Sequence, residues 1–84
     1  MEKIITAAIQ LTGNIIITIQ NPGRHSDLMR YLASNGYGLT SMSNQGFLTS
    51  DGRFVDRSEG HDIALSSGQT TDTDKTQLYT EDLW

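Results

Sequence analysis

The sequence predicts an α+β fold: a small antiparallel sheet of two hairpins with two α-helices, in one domain and completed by homo-oligomerisation. Three observations carry this. Two runs rich in Ile, Thr, Phe and Val are each interrupted by residues that favour a tight turn, Gly13-Asn14 and Asp51-Gly52. Two further stretches begin at Ser or Asp, carry apolar residues at helical spacing and stop at glycine. Eighty-four residues make one domain and no more.

In chain order, Lys3 to Gln10 reads as a strand, Leu11-Thr12-Gly13-Asn14 as a turn, and Ile15 to Gln20 as a second strand with Ile at four of six positions. Apolar residues on both alternating faces of this hairpin predict that both sides are covered, by helices or by another subunit. Asn21-Pro22-Gly23 stops the second strand. A helix follows from about Ser26 to Asn35. Ser26 or Asp27 caps it, Leu28, Met29 and Leu32 form its apolar stripe, and Gly36 ends it. Residues 36–45 are a polar connector. Gly46 to Val55 forms the second hairpin, with Phe47-Leu48-Thr49 and Arg53-Phe54-Val55 flanking Ser50-Asp51-Gly52. Asp56-Arg57-Ser58-Glu59 then has the form of a capping box, opening a helix to about Ser67 that Gly68 terminates. Residues 69–76 are a polar loop. The last segment, LYTEDLW, is too apolar for a frayed tail, and it is expected to dock on the body or on a partner subunit with Trp84 as anchor.

Composition narrows the chemistry. A domain of this size buries only about 60% of its unfolded surface, so small folds rely on disulfides, metals or association. The chain has no cysteine, and His25 and His61 lie in no ligand-spaced cluster. Association is the remaining device. No signal peptide and no run long enough to cross a bilayer is visible, so the cytoplasm is the expected compartment and no membrane partner is expected. A net charge of −4 argues against binding a nucleic acid polymer. Yet all four arginines lie between residues 24 and 57, against three acids there. That distribution suits one compact anion, although solvated surface arginines would look the same.

No nucleophile elbow, phosphate loop, dinucleotide fingerprint or metal motif is present, and no catalytic residue, metal or cofactor is expected. Binding residues fare better. Arg24 and His25 precede the first helix, where backbone N–H groups and the helix dipole favour an anion. Arg24 is equally well read as a loop residue. Phe47 is either core or a stacking platform for a base. Arg57 falls in the first turn of the second helix, where a cation opposes the dipole unless it has an anion to meet. Gln69 either reads a base edge or satisfies a carbonyl. Lys75 lies in the polar loop, the usual place of a solvated lysine.

The segment QGFLTSDGRFVDRSEGHDIALSSGQ at 45–69, the ending LYTEDLW at 78–84 and the Arg24-His25 pair together resemble the first-described Thoeris anti-defence proteins of bacteriophages. That resemblance implies an antiparallel sheet with two helices. It also implies a sponge that sequesters, without cleaving them, the cyclic ADP-ribose isomers (glyco-cyclic ADP-ribose) made by TIR-domain proteins in the infected host. The messenger would be held at a homodimer interface; some relatives are hexamers, trimers of dimers, that also take cyclic trinucleotides. Arg24, His25, Phe47, Arg57, Gln69 and Lys75 are the positions it would carry over as ligand contacts. Three rival functions are an enzyme that hydrolyses the messenger, a direct protein-binding inhibitor of a defence effector that uses the apolar C-terminal end, and a phage structural or regulatory accessory protein with no ligand.

Overall fold

The computed structural model describes residues 1–11, 15–36 and 44–84. It contains strands β1 (Ile4–Gln10), β2 (Ile16–Ile19), β3 (Gln45–Thr49) and β4 (Phe54–Asp56), and helices α1 (His25–Ser34) and α2 (Arg57–Ser67). The four strands form one antiparallel sheet in the order β2-β1-β3-β4. This is the expected α+β architecture. The first hairpin closes with the Leu11 N–H donating to the Ile15 carbonyl at 2.6 Å. The turn expected at Gly13-Asn14 and most of the 36–45 connector lie outside the described residues.

Register decides which side chains form the core. Ala7 faces both Ile19 and Phe47, Ile9 faces Ile17, and Phe47 faces Val55, so these residues share one face of the sheet. An irregularity between Ile4 and Thr6 brings Ile4 opposite Thr49 and onto that same face. Both helices pack there. Leu28 and Leu32 of α1 bury against Ala7 and Ile9, while Ile63 and Ala64 of α2 bury against Ile4, Phe47, Val55 and Leu78. Within the chain, helices therefore cover the first hairpin on one side. The other face of the sheet leaves Ile16 exposed and Leu48 and Phe54 half-buried.

The helix ends are built largely from the residues expected, in different roles. Arg24, not Ser26, is the cap of α1, and Asp27 serves by accepting the Arg24 N–H at 2.9 Å from one turn inside. Asp56 caps α2 by accepting the Glu59 N–H at 2.8 Å, but the Glu59 carboxylate turns away to Arg53 at 2.6 Å. Gly68 ends α2 at φ +78°, a conformation that disfavours any side chain. Within α2, Gly60 lets the helix approach Phe47 closely: a β-carbon there would stand 3.1 Å from the Phe47 ring.

The C-terminal segment docks on the body of its own chain. Leu78 is fully buried in the α2 core, and Leu83 and Trp84 pack against the same cluster. A single 3₁₀ turn, Thr80–Asp82, carries the chain to Trp84, whose indole N–H donates to the Gly23 carbonyl at 2.9 Å.

Candidate functional site

Four pieces of chain converge at one end of the sheet: the start of α1, the start of β3, the start of α2 and residues 78–84. Arg57 lies at their centre. The sequence places this cation in the first turn of a helix, where it opposes the dipole unless an anion meets it. It is 6% exposed, and its hydrogen-bond partners among the described residues are neutral. Its guanidinium donates through Nη1 to the Leu78 carbonyl at 2.9 Å and through Nη2 to Gln45 Oε1 at 2.7 Å, and it lies 4.7 Å from the centre of the Tyr79 ring. Nε is buried without a partner among the described residues. No carboxylate among the described residues lies within ion-pair distance of this guanidinium. Burial pushes its pKa down from the ordinary value, though a guanidinium stays charged at neutral pH.

Next to Gln45 in β3, Gly46 offers its carbonyl to His25 Nε2 at 2.6 Å. The imidazole is 5% exposed and stands edge-on to Phe47, with ring centroids 5.0 Å apart. Its Nδ1 is buried without a partner among the described residues. Burial, above all, pushes the His25 pKa down to about 4, with the Gly46 carbonyl opposing and the Arg57 charge assisting. His25 is therefore neutral in the native protein at pH 7. The unfolded chain takes up a proton near pH 6.5 while the folded chain resists it until about 4. Stability is thus fully present above pH 6.5 and is lost as the pH falls towards 4, by about 3 kcal/mol. We expect NMR titration of the His25 ring to show a midpoint near 4, and urea unfolding to show the matching loss. A ring midpoint near 6.5 would refute this assignment.

The other expected site residues divide. Arg24 is exposed at the cap of α1, one residue after the Gly23 carbonyl that holds Trp84. Lys75 pairs with Asp82 at 2.5 Å and lies 5.7 Å from the Tyr79 ring, so it joins the Arg57 group through Tyr79. Phe47 is fully buried, which corrects its reading as a base-stacking platform: it is core. Gln69 is also corrected. Its amide accepts the Ile4 N–H and donates to the Ile4 carbonyl, each at 2.8 Å, and so ties the end of α2 to β1. Ile4 is opposite Thr49, four residues along β3 from Gln45, so Gln69 lies at the far end of the sheet, about 13 Å away.

Reading the sequence missed Gln45 and Tyr79 as partners of Arg57. No local pattern marks Gln45, because its partner is twelve positions away. Tyr79 did carry a signal, the apolar character of the ending. A separate concavity of about 350 Å³ opens between β2 and α1, lined by Ile17, Thr18, Ile19, Asp27, Leu28 and Tyr31. Its lining is mostly apolar and holds a carboxylate but no cation, so it does not suit a phosphate. Among the described residues no group of His, Cys, Asp and Glu is arranged to hold a metal ion. No described helix is long and apolar enough to cross a membrane.

Fold and site together define a small single-domain α+β protein with a buried arginine that no carboxylate among the described residues pairs, beneath its own C-terminal segment. The model of the phage T4 y16D protein family matches residues 3–84, and the chain belongs to that family. It is accordingly a bacteriophage protein. No curated protein and no solved structure matches the chain.

Proposed function

We propose that this protein is a sponge for a cyclic ADP-ribose-type messenger in the infected bacterial host, holding the molecule intact and so blocking the defence response it signals. One observation carries the reading. Arg57 is a buried cation with no carboxylate at ion-pair distance among the described residues and an unused Nε–H. Burying a charge is costly unless it is paired, and a carbonyl and an amide compensate it less than an anion would. Arg24, exposed at the cap of α1, and Lys75, through Tyr79, add cationic groups at the edges of the same region. A diphosphate offers the bidentate acceptors that a guanidinium favours. Sequestration requires tight binding and no turnover, which suits a site of cations without a nucleophile.

A second copy of the chain would complete the site and cover the open face of the sheet bearing Ile16, Leu48 and Phe54. The test is calorimetry with glyco-cyclic and other cyclic ADP-ribose isomers, followed by heat denaturation of the complex. Binding with recovery of the intact isomer is expected, and a dimer or hexamer by mass. Recovery of a linear product would establish hydrolysis instead. No affinity for any isomer, with capture of a purified defence effector, would establish the protein-binding inhibitor.

A further inference from the structure

The two edges of the sheet are built differently. The outer edge of β4 is protected: the strand is short, the exposed Arg53 precedes it and the exposed Asp56 ends it. The outer edge of β2 has no such protection. From Ile15 to Gln20 the chain carries no charge and no proline, and its pairing with β1 is regular. Its backbone polarity follows from the register. The Leu11 N–H donates to the Ile15 carbonyl, so hydrogen-bonded pairs recur at every second residue, Ile9 with Ile17 and Ala7 with Ile19. Ile16 and Thr18 therefore point their N–H and C=O groups away from β1, and no strand among the described residues pairs with them. Apolar surface adjoins this edge on both faces of the sheet. Ile16 is exposed on the open face, and on the helix side Tyr31 is 60% exposed at the rim of the concavity lined by Ile17, Ile19 and Leu28.

We propose that β2 is a self-docking edge: a second copy of this chain lays its own β2 antiparallel against it, about a two-fold axis at Ile17. In that register Ile16 lies opposite the partner's Thr18, and Thr18 opposite the partner's Ile16. Each of these residues offers one N–H and one C=O, and the symmetric contact gives every one of them a complement. Ile17 meets the partner's Ile17 directly across the axis on the helix side, where the two concavities open towards each other beside the Tyr31 rings. An arbitrary strand could meet the same backbone groups. A second copy is singled out because one contact satisfies both chains at once and removes both unprotected apolar edges, whereas pairing β2 with the charged β4 edge leaves one open. The contact is separate from any packing on the open face and independent of the anion-binding reading of Arg57.

The chain has no cysteine, so a single introduced one reports the register. Ile17→Cys is expected to cross-link two copies by a disulfide on mild oxidation. Directly opposite residues of a non-hydrogen-bonded pair stand about 4.5 Å apart at Cα, within disulfide reach. Ile16→Cys, displaced by two residues from its own counterpart, is expected to stay uncross-linked. Thr18→Pro removes an outward N–H that β1 does not use, and its ring obstructs the partner strand. It should weaken self-association at least about thirtyfold by sedimentation, the worth of the two symmetric hydrogen bonds, while circular dichroism keeps the parent spectrum. Cross-linking at position 16 equal to or above that at position 17 would overturn the proposal. A parent chain that sediments as a monomer at every concentration would do the same, as would a folded Thr18→Pro that assembles like the parent. Should Thr18→Pro fail to fold, the comparison of the two cysteine variants decides.

Discussion

Replacing Phe47 with alanine is expected to remove about 3–5 kcal/mol of stability and to lower the melting temperature by roughly 15 °C or more. Its side chain is fully buried, between Val55 and Ala7 in the sheet, beneath α2 at Gly60 and against the edge of His25. The cavity left behind would adjoin both helices, and neither can settle into it, because α1 rests on Ala7 and Ile9 and α2 on Ile4 and Val55. A domain of this size has only about 4–13 kcal/mol in total, so the variant should be largely unfolded at moderate temperature. Circular dichroism during heating and in urea gives the answer. The same substitution discriminates between the two readings of this residue. A base-stacking platform would lose ligand on truncation and keep its melting temperature; a core residue loses the fold. A change below about 1 kcal/mol would return Phe47 to the surface.

Arg57→Ala should abolish affinity for a cyclic ADP-ribose messenger, by more than about a hundredfold, and should also destabilise the fold. The second effect follows from burial. Truncation strands the Leu78 carbonyl and Gln45 Oε1, two buried acceptors whose donors were the guanidinium, at a cost of about 1–3 kcal/mol each. Binding loss in this variant therefore has to be measured under conditions where circular dichroism shows it folded. Gln45→Glu resolves the matter without truncation. It would place a carboxylate where Gln45 Oε1 now stands, 2.7 Å from Nη2, and so give the buried cation a permanent counter-charge. That variant should stay folded while its affinity for the messenger falls at least tenfold. Unchanged calorimetric affinity in Gln45→Glu would remove Arg57 from the ligand site.

Much of the fold was legible because its signals are local. The turn at Asp51-Gly52, the Asp56 cap, the Gly36 and Gly68 stops and the stripe of Leu28 and Leu32 each depend on residues within a few positions of one another. The docking of LYTEDLW was legible as well, since Leu78 and Trp84 in a terminal segment have no favourable place in water. The site was less so. Arg24, His25, Arg57 and Lys75 do gather around one end of the sheet, but Phe47 is beneath it as core and Gln69 is at the other end as a brace. An arginine, a phenylalanine and a glutamine each have one role inside and another outside, and the amino acid type alone does not choose between them.

The sequence by itself therefore determined the elements, their order, the glycine stops of both helices, the Asp56 cap and the absence of cysteine chemistry, all of which rest on composition, backbone preferences and hydrophobic periodicity over short spans. The tertiary structure decided burial and partnership. Strand register and the irregularity near Ile5 placed Ile4, Ala7 and Phe47 on the helix-covered face, and the path of the last seven residues put a carbonyl and a tyrosine ring on Arg57. Those outcomes depend on contacts between residues 21 to 45 positions apart, which no local pattern encodes.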